Sequence, residues 1–263
     1  MEKSIELVDE TIDINLTHTY HLSVQIACDG FSYAILDSVR SKFIYFRHKE
    51  YTPGESEESI QKHIDLCLHE DEFLSKFFKS VKILYQTKKA TLVPAPLFDP
   101  DTFHKIFELN HELLKTEILH YSKINQLNAF NVFAMPAWVY ADFLSRFQNA
   151  EFFQETSSII YNVLVNNRFK GAEAKVFVNL GEDYLNITVL TEDGITLHNS
   201  FDYKSSNDIV YFTMYIYEQL KLNPEKSDLI LSGYINKKSE VYKELSRYVR
   251  AVKFEKLNPQ FTY

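Results

Sequence analysis

A hydrophobic pattern that returns after half a chain constrains a fold more than any single motif, and this sequence contains one. The stretch 175–203, KVFVNLGEDYLNITVLTEDGITLHNSFDY, holds three short segments (175–180, 184–190 and 195–201) with apolar side chains at every second position. Gly181-Glu182-Asp183 and Glu192-Asp193-Gly194 separate them. A period of two puts alternate side chains on one face of a strand, and turn residues at the gaps fold each strand back on the last. The stretch therefore predicts a three-stranded antiparallel meander. HLSVQIACDGFSYAILDSVRSKFIYFRHKEY, beginning at His21, repeats the design with strands near 21–27, 31–37 and 42–51. Val24 and Ile26 correspond to Val176 and Val178, and Phe31, Tyr33 and Ile35 to Leu185, Ile187 and Val189. Phe43 and Tyr45 correspond to Ile195 and Leu197, and the offset stays between 152 and 154 residues. One unit used twice, and so a two-lobed molecule, is the expectation.

The rest of the chain alternates helix and strand. After the break at Thr52-Pro53-Gly54, Ile60, Ile64 and Leu68 line one face of a helix over 57–70. Phe73, Phe77 and Phe78 suggest a short second helix. Strands over 81–86 and 90–94 follow on either side of Thr87-Lys88-Lys89, and Pro94, Pro96 and Pro100 stiffen the next connection. Then come a helix carrying Phe103, Ile106, Phe107, Leu109 and Leu113, strands over 117–122 and 128–134, and a helix over 136–148 begun by Pro136. A helix over 156–167 is closed by Lys170-Gly171-Ala172. Beyond the second meander, SSND opens a helix over 205–222 that Asn223-Pro224 ends; a strand over 228–231, a helix over 237–249 and a strand over 251–254 complete the chain. The fold class is α/β: two mixed sheets, each with a three-strand meander and covering helices, with a cleft between the lobes. The lobes are placed at 1–150, with extra strands and a helix around 73–122, and at 151–263.

Composition narrows the function classes. The 263 residues are 45% hydrophobic, with 21 Phe, 17 Tyr and a single tryptophan, Trp138, which suits a folded protein with a substantial core. Thirty-six acidic residues outnumber 28 basic ones, for a formal net charge of −8, and no Lys/Arg cluster offers a nucleic-acid or anionic-membrane surface. Cys28 and Cys67 are too few for a disulfide framework or a cysteine-based zinc site, so a reducing compartment is expected. The first twenty residues are acidic and lack a signal-peptide core, and no run approaches the ~20 apolar residues that span a bilayer. These observations point to a cytoplasmic protein with no transmembrane segment.

A duplicated meander followed by alternating helices and strands resembles the actin-like ATPase superfamily of sugar kinases, the Hsp70 nucleotide-binding domain and bacterial actin-like proteins. It is most similar to the compact cell-division and pilus-assembly type, and to an uncharacterised bacterial family assigned that fold. The resemblance covers roughly residues 20–255 and implies two ribonuclease H-like lobes. It also implies three ATP-holding loops: an Asp-x-Gly turn in each meander and a Gly-rich adenosine loop after a late strand. Glycines there let backbone N–H groups approach phosphate, and the aspartates orient hydrated Mg²⁺ or a water.

This sequence departs from the pattern at each loop. Ala27-Cys28-Asp29-Gly30 has Asp29 and Gly30 adjacent. Asn179-Leu180-Gly181 places Asn179 where the family has Asp, and Glu182 and Asp183 beside a phosphate pocket would repel a triphosphate. Ser232-Gly233-Tyr234 has Tyr234 where the second glycine belongs, with a ring able to occupy adenine space. The candidate remnants of the nucleotide loops are thus Asp29, Gly30, Asn179, Gly181, Ser232 and Gly233; the plainer reading is that the glycines serve hairpin turns and a strand end.

Other constellations are weaker. His63 and Cys67 stand four apart on a helix with His69 close by, and two ligands do not make a metal site. His104 and His111 suit a helix surface, and no Walker loop, nucleophile elbow or dinucleotide fingerprint occurs. Tyr211, Phe212, Tyr215 and Tyr217 cannot all share one narrow stripe, so their helix is either buried on two sides or offers a partner surface. The leading expectation is a non-catalytic actin-like-fold protein that binds another protein and uses no cofactor. The alternative is a divergent Mg²⁺-dependent ATP-binding protein, ATPase or kinase in which Asp29, Asn179, Glu182 or Asp183 take the metal and base roles. A third is a filament component.

Overall fold

The computed structural model describes residues 4–51, 56–167 and 173–256; the expected strand break at 52–54 and the turn at 170–172 lie outside them. The chain divides into two compact units, one running to Ser158 and the other starting at Ile159.

The N-terminal unit begins with β1 (Ser4–Val8), β2 (His21–Ile26), β3 (Gly30–Asp37) and β4 (Lys42–Glu50). Leu22, Val24 and Ile26 are buried while Ser23 and Gln25 between them are exposed, the half-buried alternation that fixes register. β2 pairs antiparallel with β3, and β3 with β4, so the first meander stands where the sequence puts it. Helix α1 (Glu57–Glu70) is capped by the Ser56 side chain and turns Ile64, Cys67 and Leu68 into the core. β5 (Ser80–Tyr85) then lies parallel to β2. The chain next leaves the sheet. β6 (Ala90–Pro94), α2 (Phe103–Glu108), β7 (Glu117–Ile124) and β8 (Ala129–Pro136) form a separate three-stranded sheet, ordered β6-β8-β7, under one short helix. Helix α3 (Ala137–Arg146) returns, β9 (Ala150–Gln154) pairs parallel with β5, and α4 (Glu155–Asn166) carries the chain onward.

Three expectations change here. The strands over 81–86 and 90–94 are not a hairpin. β5 is flanked by β2 and β9, with Gln86 N–H bonded to the Ile26 carbonyl at 2.8 Å, whereas β6 pairs with β8. Thr87–Lys89 is a corner between sheets, favoured because Val81 and Ile83 are wholly buried between two parallel neighbours. Phe73, Phe77 and Phe78 do not share a helix: a single tight turn spans Phe73–Ser75, Phe78 is buried and Phe77 is 68% exposed. β1 and β9 are additional strands. All five residues of β1 are exposed, so it carries no alternation of burial to read.

The C-terminal unit has β10 (Lys175–Leu180), β11 (Tyr184–Thr191) and β12 (Gly194–Asp202) as its meander, then α5 (Ser206–Gln219), β13 (Asp228–Gly233), α6 (Glu240–Tyr248) and β14 (Val252–Phe254). Strand order is β12-β11-β10-β13-β14, with β10, β13 and β14 parallel. Val176, Val178, Leu185, Ile187 and Val189 form the core with Leu229 and Leu231, against Ile209 and Ile216 of α5 and Leu245 of α6. A reciprocal capping box starts α5: the Ser205 side chain accepts from the Asp208 N–H, and Asp208 accepts from the Lys204 and Ser205 N–H groups at 2.9 Å. Among the described residues no helix is long and apolar enough to cross a membrane.

Candidate functional site

The six sequence-predicted residues sit at the carboxyl ends of parallel strands, where open α/β sheets hold ligands. Asp29 and Gly30 belong to the N-terminal unit; Asn179, Gly181, Ser232 and Gly233 gather in the C-terminal unit.

At the first turn, Ala27 N–H bonds the Gly30 carbonyl at 3.0 Å, and the Asp29 carbonyl accepts from Tyr51 N–H at 3.0 Å. A Cβ on Gly30 would stand 2.4 Å from the Lys49 carbonyl oxygen of β4. The glycine is therefore required by the neighbouring strand. No ligand is needed to explain it.

The second turn is tied down from behind. Gly181 N–H bonds the Tyr184 carbonyl at 2.9 Å, and the Tyr203 hydroxyl lies 2.7 and 2.8 Å from the Gly181 and Glu182 carbonyls, a shared donor to both. Glu182 and Asp183 project into solvent.

At the third loop Gly233 has φ +82°, and a Cβ there would meet the Leu180 carbonyl oxygen at 2.1 Å. Tyr234 N–H bonds that same oxygen at 2.9 Å, and the Tyr234 side chain is 63% exposed. The second and third loops also meet through side chains. Asn179 Nδ2 donates to Ser232 Oγ at 2.9 Å. Ser232 in turn bonds Glu255, just past β14, and Glu255 Oε1 accepts from Asn162 Nδ2 of α4 at 2.5 Å. Burial raises the Glu255 carboxyl above its usual range, and the Ser232 hydroxyl partly offsets that rise. The result is a chain of engaged polar groups, Asn179–Ser232–Glu255–Asn162, across the strand ends. Sequence reasoning found two of its members and missed Glu255 and Asn162.

A second polar cluster, also missed, closes the equivalent end of β9. Gln154 is 1% exposed; its Nε2 donates to the Thr87 carbonyl at 2.6 Å, while Oε1 accepts from Asn131 Nδ2 at 2.9 Å and from Thr156 N–H at 2.8 Å. Asn131 Nδ2 also reaches Ser157 Oγ at 3.1 Å. Both ends of the Gln154 amide thus bond to protein.

The weaker constellations resolve simply. Cys67 is buried, which raises its thiol pKa and leaves it a poor nucleophile, while the His63 ring packs edge-on to Tyr51. His69 bonds the Asp65 carbonyl one turn back, and His111 donates to the Ala90 carbonyl at 3.1 Å. Among the described residues no group of three or more His, Cys, Asp or Glu is arranged to hold a metal. On α5, Tyr217 is buried, whereas Tyr211 and Tyr215 stack at 6.0 Å on an exposed face.

The comparisons with known proteins agree with this geometry. None of the curated proteins compared with the chain matches it. A solved structure from Bacteroides thetaiotaomicron, a protein with an actin-like ATPase fold and unknown function, is similar at 25% identity and a TM-score of 0.85, over 96% of this chain and 96% of that one. The PilM-PilN type IV pilus biogenesis complex is similar at 11% identity and a TM-score of 0.54, over 92% of this chain and 89% of that one. The fold is the actin-like ATPase fold that the doubled meander led us to expect. Over residues 9–252 the sequence matches the DUF3822 family, described as a protein of unknown function, and the chain belongs to that family.

Proposed function

We propose that this chain is a non-catalytic member of the actin-like fold that acts by binding another protein. The observation that carries the reading is internal satisfaction of the three loops. Gly30 and Gly233 are needed by adjacent backbone, Tyr203 holds the Gly181 turn, and Asn179 and Ser232 bond each other. Groups that would cradle phosphate must offer N–H or hydroxyl donors outward, and here the side-chain donors at the second and third loops are engaged. The carboxylates of Glu182 and Asp183 add a negative field beside them. The structural neighbour from a pilus biogenesis complex is a precedent for protein binding on this fold. The exposed Tyr211–Tyr215 pair supplies contact area of the type that protein interfaces favour.

A thermal-shift titration with ATP, ADP and Mg²⁺ tests the reading. A ligand at a hundred times its Kd stabilises by about 2.7 kcal/mol, or roughly 5–10 °C for a chain of this size. The expected shift is nil, and a saturable rise of several degrees overturns the proposal in favour of a divergent ATP-binding protein.

A further inference from the structure

Within the N-terminal unit, beside the first turn, lies a pocket of about 300 Å³ whose wall includes Cys28, Glu57, Tyr85, Gln86, Glu117 and Trp138. β2 and β5 end at it, α1 contributes its first residue, Glu57, and the inserted sheet and α3 bring Glu117 and Trp138. Two acidic and no basic side chains line it. The two carboxylates are not equivalent. Lys89 Nζ sits 2.8 Å from Glu117 and neutralises it, and Leu114 N–H also donates to it. Glu57 accepts from the Trp138 indole N–H at 3.0 Å and, among the described residues, makes no ion pair, so the carboxylate and the indole are held edge to edge. The Tyr85 phenol is pushed well above its usual value, first by burial and then by the fields of Glu57 and Glu117, which places the negative potential inside the pocket.

We infer that this pocket binds an organic cation, an amine or guanidinium group, with Glu57 as its counter-ion and the Trp138 and Tyr85 rings as its aromatic wall. A cation over an aromatic face gains from the ring quadrupole, and a carboxylate alongside converts that attraction into a charge-assisted hydrogen bond. The same field repels phosphate. A metal ion is the poorer occupant, because no group of three ligating side chains gathers here among the described residues. The site stands apart from the protein-binding proposal: a free amine would fill it as well as the Lys or Arg side chain of a partner.

Trp138 is the chain's only tryptophan, so indole emission reports this pocket alone. The full chain is titrated with N-acetyl-arginine amide, with a short N-acetylated peptide whose only cations are arginines, and with the same peptide carrying citrulline at each arginine, by emission and by calorimetry. The expected result is a saturable change with the cationic ligands, absent with citrulline, and weakened about tenfold in Glu57→Gln. Glu57 is exposed and its replacement leaves the melting temperature unchanged, which is checked in parallel. Response to the free amide identifies a small-molecule site; response to the peptide alone identifies a partner's side chain. Absence of saturable emission change and of heat with both cationic ligands, or equal affinity in Glu57→Gln, overturns the inference. The ATP titration judges the loops separately, so the two failures are distinct.

Discussion

The two units share a plan and differ in what closes the carboxyl ends of their strands. Both run meander, helix, parallel strand, then helix and parallel strand, giving β4-β3-β2-β5-β9 in one and β12-β11-β10-β13-β14 in the other. Both meanders carry a register irregularity at matching points, between Ile35 and Leu36 in the first and, 154 residues later, between Val189 and Leu190 in the second. A shared irregularity is a more specific correspondence than shared alternation, because a bulge is a placed feature. Between β5 and β9, however, the N-terminal unit inserts a whole three-stranded sheet, whereas only α6 separates β13 from β14. Where the second unit seals its strand ends with Asn179, Ser232, Glu255 and Asn162, the first closes β9 with the Gln154 cluster and leaves, at the ends of β2 and β5, a pocket to which the inserted sheet adds Glu117. The two units share a strand order, and the extra sheet of the first stands beside an open, acidic pocket.

The largest expected effect tests whether the loop glycines serve backbone packing. Gly233→Ala combines a left-handed φ, costing about 1–2 kcal/mol, with a Cβ forced onto the Leu180 carbonyl. Together these should destabilise by roughly 3–5 kcal/mol in urea unfolding. Gly30→Ala meets the Lys49 carbonyl without a positive φ and should cost less. Gly194→Ala, with φ +106° and nothing within 4 Å, is the control, at about 1 kcal/mol. Near-neutral Gly233→Ala and Gly30→Ala would mean those glycines are kept for a ligand instead.

The next effect is a pH dependence to which the second unit contributes. Burial lowers His198 to about 4, with the Thr188 hydroxyl 2.8 Å from its Nδ1. The native imidazole is neutral while the unfolded one takes a proton near pH 6.5, so the unfolded state binds more protons between those values. Stability is therefore full above pH 6.5, falls as pH drops toward 4, and levels off below. At about 1.4 kcal/mol per unit the loss approaches roughly 3 kcal/mol. His198→Gln should flatten this part of the profile measured by denaturant titration; an unchanged slope would assign the acid sensitivity to other groups, His21 and His120 of the first unit, which burial also lowers, or carboxylates.

Much of this was legible because both meanders are antiparallel and their sequences alternate apolar with polar residues, so Val24, Ile26, Ile187 and Val189 announce their face even though β11 is buried on both sides. β1 was illegible since none of its residues is buried, and β9 since AEFFQ is too short for a period to stand out. The loops were read from their glycines, which local geometry explains. The polar closure was not, because Asn162 and Glu255 lie 93 residues apart and meet only after α4 and β14 are packed. The same holds for Glu57 and Trp138, separated by 81 positions. Local pattern reports strands, and tertiary chemistry between distant positions leaves no mark on a single sequence.

The smallest expected effect decides whether the closed end of the second unit is a structural seal. The Glu255 carboxyl is raised by burial, so its charged form is disfavoured in the native state, and that cost grows as pH rises from the unfolded carboxyl value through the folded one. Glu255→Gln removes the charge while keeping an acceptor for Asn162 and a group to meet Ser232. It should therefore stabilise by about 0.5–1 kcal/mol at neutral pH and make no difference in acid, where Glu255 is already protonated. Denaturant midpoints at two pH values measure this directly. If Glu255→Gln instead destabilises at neutral pH, the carboxylate is held charged by something the Asn179–Ser232–Asn162 chain does not supply, and this end of the sheet is a site after all.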